Sequence, residues 1–216
     1  MRSFIRRSIS MKKINKITLI LRGYSLEEAV LVAKEVSRFQ CFNLEITTNT
    51  SGWEDIISEL KRLEFANVPV GAGTVLDEGL LKRAINAGAE FALSPIMMTE
   101  QMLKICKEND LASVPSGFSP SEIWKMVQAG ADIVKVFPAA RLSPKYISDI
   151  QAPLGKIPLM VVGGINVQNI NDYFVAGSKY AGIGSGICDR NKLKQGNLND
   201  LRKNLSALSE TASTRQ

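Results

Sequence analysis

Apolar positions along the chain gather into eight short runs, and amphipathic segments fill the spaces between them. The runs are ITLILRG (17–23), FNLEITT (42–48), PVGAGTV (69–75), FALSP (91–95), LASVPSG (111–117), IVKVFPA (133–139), LMVVGGI (159–165) and YAGIGSGI (180–187). Runs this short and this continuously apolar predict strands covered on both faces, as in a parallel sheet. The segments between them carry helix signals. SLEEAVLVAKEVSRF opens at Ser25 as an N-cap, and Glu28 three residues later completes a capping box. SPSEIWKMVQAG starts at Ser119, has Pro120 in the first helical position and ends at Gly130. NVQNINDYFVAG ends the same way at Gly177, and a further alanine–glycine pair precedes a strand at Gly88.

Eight strand–helix units repeating at roughly 25 residues predict a single-domain (β/α)8 barrel, the TIM-barrel architecture. A doubly wound sheet is the other architecture this alternation allows. If it bound a dinucleotide, it would place a GxGxxG turn after the first strand, where this chain has LRGYSLEE. A chain of 216 residues can bury a large core. The domain is expected over residues 14–208, between a basic tail at 1–13 and a frayed end, SETASTRQ, at 209–216.

Charge changes this picture only at the amino terminus. Arg2, Arg6, Arg7, Lys12 and Lys13 lie within the first 13 residues without an acid, while the other 22 basic residues nearly balance 21 acidic ones. The net charge of +6 therefore belongs to a tail. MRSFIRRSIS has no apolar core or cleavage site of a secretory signal. Its Arg- and Ser-rich, acid-free composition is that of a transit peptide, while the MKK at Met11 looks like an ordinary start behind an upstream extension. A solvated tail, with neither a nucleic acid nor a membrane as partner, is the expectation. No run approaches the roughly 20 apolar residues that span a bilayer. Cys41, Cys106 and Cys188 are odd in number and far apart, without a CxxC pair, which fits a reduced cytoplasm.

The chain has no histidine. That excludes Ser-His-Asp and Cys-His nucleophile pairs and removes the commonest metal ligand. No cofactor is expected. Proton transfer is left to carboxylates, lysine, tyrosine, phosphate or water.

In a barrel, reactive groups gather at the C-terminal ends of the strands. Arg22, Glu45 with Asn49 just beyond its strand, Thr74, Lys135 and Ser185 stand there in this sequence. Lys135 interrupts the run ADIVKVFPAA. It is either a structural lysine paired with Glu45 or reaching out of the barrel, or an amine that burial keeps neutral. Desolvation lowers a buried lysine pKa by up to ~3–5 units, and a neutral amine attacks carbonyls to form an iminium. An iminium stabilises a carbanion on the adjacent carbon, which suits aldol cleavage, decarboxylation or dehydration of keto acids. Glu45 is either the counter-ion of Lys135 or the proton carrier such chemistry needs.

VVGGI and GIGSG close the last two strands, where barrels commonly bind phosphate through backbone N–H groups and a helix N-terminus. Gly163, Gly164 and Gly184 would let the backbone approach an anion, and Ser185 would add a hydroxyl; tight packing of strand ends would need the same glycines. Arg22, directly before Gly23, is either a loop charge or a bidentate grip on a substrate carboxylate, with Thr74 adding a hydroxyl.

GAGTVL, KVFPA, VGGI and GIGSG, in this order from about Ile17 to Arg190, resemble the 2-keto-3-deoxy-6-phosphogluconate aldolase family with its phosphogalactonate branch. That resemblance implies a metal-free, homotrimeric class I aldolase of (β/α)8 fold. Its substrate would be a phosphorylated keto-deoxy sugar acid, cleaved to pyruvate and glyceraldehyde 3-phosphate. It makes Lys135 the Schiff-base lysine and Glu45 the general acid and base. Thr74, Pro95 and Phe137 would line the pyruvate end, and Gly163, Gly164 and Ser185 the phosphate end. The phosphogluconate branch carries an arginine four residues after the catalytic glutamate, where this chain has Asn49. LILRG, NTSGW and LSPKYI are similar to the phosphogalactonate branch, which moves the cation to Arg22. Thr47 and Thr48 fit neither branch, so the C4 epimer stays open, as does 4-hydroxy-2-oxoglutarate. Rival readings are an isomerase or epimerase, and a phosphosugar-binding barrel without catalysis.

Overall fold

The computed structural model describes residues 14–65 and 67–214; the basic tail falls outside them. Eight parallel strands alternate with helices. The strands are β1 (Ile17–Leu21), β2 (Phe42–Thr47), β3 (Val70–Gly73), β4 (Phe91–Leu93), β5 (Ala112–Val114), β6 (Val134–Val136), β7 (Leu159–Val162) and β8 (Tyr180–Ile183). The helices are α1 (Leu26–Val36), α2 (Trp53–Arg62), α3 (Glu78–Asn86), α4 (Glu100–Glu108), α5 (Pro120–Gln128), α6 (Pro144–Leu154), α7 (Ile170–Val175), α8 (Arg190–Lys194) and α9 (Asn199–Ser213). All eight predicted strands are present but end earlier than the apolar runs, because the residues beyond them turn into the loops of the mouth.

Strand order is β5-β4-β3-β2-β1-β8-β7-β6. The seam between β5 and β6 closes through Ile133, whose N–H donates to Ser113 O at 3.2 Å, and through Lys135. Lys135 N–H donates to Pro115 O at 2.8 Å, and its carbonyl accepts from Gly117 N–H at 2.9 Å and Ser116 Oγ at 3.0 Å. The sheet is thereby a barrel and not an open doubly wound sheet.

Alternation along each strand sorts side chains between two cores. Ile17, Leu19, Leu44, Ile46, Val134, Val136 and Val161 pack outward with the helices. Ile20, Phe91, Leu93, Val114, Ile133, Met160, Val162 and Tyr180 fill the interior. Glycines on β3 make room there. A Cβ on Gly71 would lie 2.3 Å from the Phe91 ring, and one on Gly73 would lie 1.6 Å from Glu45 Oε1.

Local signals behave as the sequence predicts. Ser25 and Glu28 form the capping box of α1, and Ser119 with Glu122 forms that of α5, which has Pro120 in its first turn. Gly130 and Gly177 adopt φ of +88° and +107° beyond α5 and α7. One boundary differs. The carboxyl end folds as α9 through Ser213, with Leu201, Leu205, Leu208 and Ala212 buried. Lys16 Nζ also donates to Ala212 O at 2.8 Å, so residues 209–213 belong to the body and are not frayed. No helix among the described residues is long and apolar enough to cross a membrane.

Candidate active site

Odd positions of β2 point inward and carry Asn43, Glu45 and Thr47, all buried. Asn43 sits at the amino-terminal end of the barrel, Glu45 toward the mouth. At β6 the inward residues are Ile133, just before the strand, and Lys135 within it. Glu45 is 3% exposed and Lys135 5%. Glu45 Oε2 is buried and has no hydrogen-bond partner among the described residues. The pair is therefore not a closed salt bridge, one of the two structural readings of Lys135.

Electrostatics follow from this dryness. Burial pushes the Glu45 carboxyl up to about 7, against the opposing pull of Lys135 and Arg22. Burial pushes the Lys135 amine down to about 8; Glu45 pulls it up and Arg22 pushes it further down. An amine and a carboxyl that titrate so close to neutrality can each hold or release a proton near pH 7, as acid–base chemistry requires.

Other predicted residues surround this pair. Arg22 directly follows β1, exposed at the rim, and its charge reaches both buried groups. Thr74 follows β3 with φ of +59°, and its carbonyl accepts from Thr48 Oγ1 at 2.7 Å. Thr48 N–H also donates to Gly73 O at 2.8 Å, so Thr48 ties the β2 loop to the β3 loop. Pro95 is half-buried beyond β4. The Phe137 ring, 39% exposed, has its centroid 5.5 Å from Lys135 Nζ. Asn49 stands apart: it is exposed in the turn after β2 and makes no hydrogen bond with a described residue.

The two glycine turns lie where expected, beyond β7 and β8. Gly163 and Gly164 have φ of +93° and +76°. A Cβ on Gly164 would lie 2.5 Å from Ala140 Cβ, and Gly163 O accepts from Ala140 N–H at 3.0 Å, so tight packing is one reason for these glycines. Gly184 has open space where a Cβ would be. Ser185 lies beyond the end of β8, exposed, and lines a polar cleft shared with Cys188, Asp189, Asp200 and Lys203. The helix that follows differs from the expected anion site. Asp189 caps α8, accepting from Asn191 N–H at 2.8 Å, and so occupies the donors an anion would use.

Sequence reasoning missed two contributors. Gly73 clears the space for the Glu45 carboxylate, and its inward direction is knowable only once the barrel register is set. Arg190 pairs with Glu28 and reaches the loop after β1 across 167 positions of sequence, a separation no local pattern spans.

A closed parallel barrel that buries an amine and a carboxyl within electrostatic reach, under a rim carrying a cation, defines an enzyme of the (β/α)8 class. Residues 9–204 match the family model described as KDPG and KHG aldolase. The chain belongs to the KDPG and KHG aldolase family and is a carbon–carbon lyase. It is 34% identical over 175 residues to the 2-dehydro-3-deoxy-phosphogluconate aldolase of Dickeya dadantii, covering 79% of this chain and 80% of that one. It is 30% identical over 169 residues to the probable 2-dehydro-3-deoxy-6-phosphogalactonate aldolase of Rhizobium meliloti, covering 78% and 79%. Among solved structures, one titled "Native KDPGal structure" superposes with a TM-score of 0.82 at 23% identity, covering 92% of this chain and 95% of that one, which shows a shared fold.

Proposed function

We propose that the protein is a class I aldolase that cleaves 2-keto-3-deoxy-6-phosphogluconate, its galactonate epimer, or both, to pyruvate and glyceraldehyde 3-phosphate. The observation that carries this reading is the dry, electrostatically coupled pair of Lys135 and Glu45 at the barrel mouth. Neutral Lys135 Nζ attacks the C2 ketone. Protonated Glu45 gives its proton to the carbinolamine hydroxyl, which leaves as water, and the iminium forms. Glu45, now a carboxylate, accepts the C4 hydroxyl proton, directly or through water. The C3–C4 bond breaks, its electron pair passes into the iminium to form an enamine, and C4 departs as the aldehyde. A proton returns to C3, and water hydrolyses the pyruvate iminium to restore the amine.

Around this chemistry Arg22 grips the substrate carboxylate, with Thr74, Pro95 and Phe137 lining the pyruvate end. Asn49 leaves the second strand without the arginine of the phosphogluconate branch. Gly163, Gly164, Gly184 and Ser185 face the phosphate. We place the protein in the cytoplasm, since Cys41, Cys106 and Cys188 are free thiols, and we assign it a homotrimer. Ile96, Met97, Phe118 and Trp124, exposed together on the loops and helices after β4 and β5, support an assembly surface.

Borohydride added with pyruvate should reduce the iminium and trap a covalent adduct in the wild type and none in Lys135→Ala. An adduct that persists in that variant would refute the assignment. Pyruvate release measured side by side from the two epimers identifies the substrate.

A further inference from the structure

Arg22 makes no hydrogen bond or ion pair with a described residue, so what the fold fixes is the backbone from which its side chain departs. That backbone is held at the next residue. Gly23, at φ of +71°, has both of its peptide groups bound by side chains from flanking loops. Its N–H donates to Thr50 Oγ1, in the turn after β2, at 2.8 Å. Its carbonyl accepts from Arg190 Nη2, at the start of α8. Since β2 and β8 are the neighbours of β1 in the barrel, one glycine ties three adjacent loops together.

Each holding group is itself fixed. Thr50 is buried, and its hydroxyl lies 2.9 Å from that of Thr47. Arg190 forms a two-pronged pair with Glu28, Nε to Oε1 at 3.0 Å and Nη2 to Oε2 at 2.7 Å, and lies 4.7 Å from the centroid of the Tyr24 ring. Glu28 also accepts from Ser25 N–H at 2.7 Å in the capping box of α1. Burial opposes its charge, but the bonds from Arg190 and Ser25 hold its carboxyl below the usual range. The Arg190 side chain is 37% exposed, while Glu28, Thr50 and Tyr24 are buried, so the network runs from the rim into the packing beneath it. What it sets is the direction in which the chain leaves β1, and with it the direction of the Arg22 side chain.

We propose that Thr50 and Arg190 are positioning residues that clamp the Gly23 peptide and so hold the Arg22 guanidinium over the mouth, aimed at the substrate carboxylate. The proposal rests on Arg22 as the partner of that carboxylate. Fixing a long cation before substrate arrives spares the ordering that binding would otherwise require.

The full-length chain tests this with steady-state pyruvate release and with the half-saturating pyruvate concentration in borohydride trapping. Thr50→Val and Arg190→Gln should each raise KM and the half-saturating concentration about tenfold while kcat changes less than about threefold, the signature of lost binding and not of lost chemistry. Thr50→Ser, which keeps the hydroxyl, should restore the wild-type constants. In an Arg22→Gln background neither substitution should raise KM further, because the group being aimed is gone. An equal rise in that background would overturn the clamp while leaving Arg22 as the carboxylate partner. An unchanged KM in Arg22→Gln alone would remove that role and the clamp with it. If Thr50→Val fails to fold, Arg190→Gln at the exposed rim completes the same cycle.

Discussion

Asn43 and Glu45 stand two positions apart on β2 and face the same interior, yet they are opposite kinds of buried polar residue. Asn43 is saturated. Its Nδ2 donates to Asn15 O at 2.9 Å, Thr18 Oγ1 at 3.0 Å and Ile17 O at 3.3 Å, and its Oδ1 accepts from Asn15 N–H at 2.7 Å. Asn15 continues the network to Phe42 O and Asn67 O. Glu45, one inward step toward the mouth, keeps a buried oxygen with no partner. A satisfied buried amide stabilises the fold, whereas an unsatisfied buried carboxyl destabilises it and stays available for reaction. The floor of this barrel and its mouth thus place polar groups to different ends, and partner count is what separates them.

The contrast is sharpest at Lys135. Replacing it with methionine, which keeps the volume, should lower turnover by at least about 10⁴-fold, as removal of a nucleophile does. The same change should raise the thermal midpoint, because it removes a desolvated amine and lets Glu45 stay protonated. A variant both inactive and less stable than wild type would show that the amine is part of the structural network after all.

Glu45→Gln comes next. It should cost about 10²–10⁴ in kcat, the range for a proton carrier, with no loss of stability. Asn43→Ala inverts the pattern: unfolding free energy should fall by about 1–3 kcal/mol in a urea titration while kcat holds. If Asn43→Ala also abolished turnover, floor and mouth would not be separable.

The smallest effect is in pH. Lys135 has a folded pKa below its unfolded value, so its cost is full below about 8 and vanishes above its ordinary value near 10.5. Glu45 has a folded pKa above its unfolded value, so its cost is absent below about 4.5 and full above about 7. The stabilising effect of Lys135→Met should therefore be greatest below about pH 7, where the lysine cost is full and Glu45 is largely uncharged; above that the variant keeps the Glu45 cost and loses the pull of Lys135 that offsets it. The wild-type rate should peak between about 7 and 8, since the neutral amine grows with pH while the protonated carboxyl declines; the two macroscopic values belong to the pair. A profile flat from pH 6 to 9 would contradict the coupling.

The sequence displays the fold more readily than the site. Eight apolar runs are visible because both faces of each strand are covered, and Ser25, Ser119, Gly130 and Gly177 announce helix ends through local chemistry. Lys135 and Glu45 stand out for the same reason, as charges inside such runs. The carboxyl-terminal helix was harder to read at its end, where serine, threonine and glutamate carry little apolar signal and only Leu208 and Ala212 continue the buried stripe. Asn49 is linked to the site only by its spacing from Glu45, and it stands exposed in the turn after β2. The Gly73 clearance and the Gly23 tie depend on which residues meet across the closed barrel, and nothing local encodes that.

The seam between β5 and β6 has a consequence for how the protein can be observed. Besides the bond from Ile133 N–H to Ser113 O, its closing hydrogen bonds run through the backbone of Lys135, to Pro115, Ser116 and Gly117. The barrel cannot breathe open along that line without displacing the backbone that carries the Lys135 amine. Deuterium uptake at the Lys135 amide therefore reports how often this stretch of the seam opens, and a ligand that slows the exchange holds it closed.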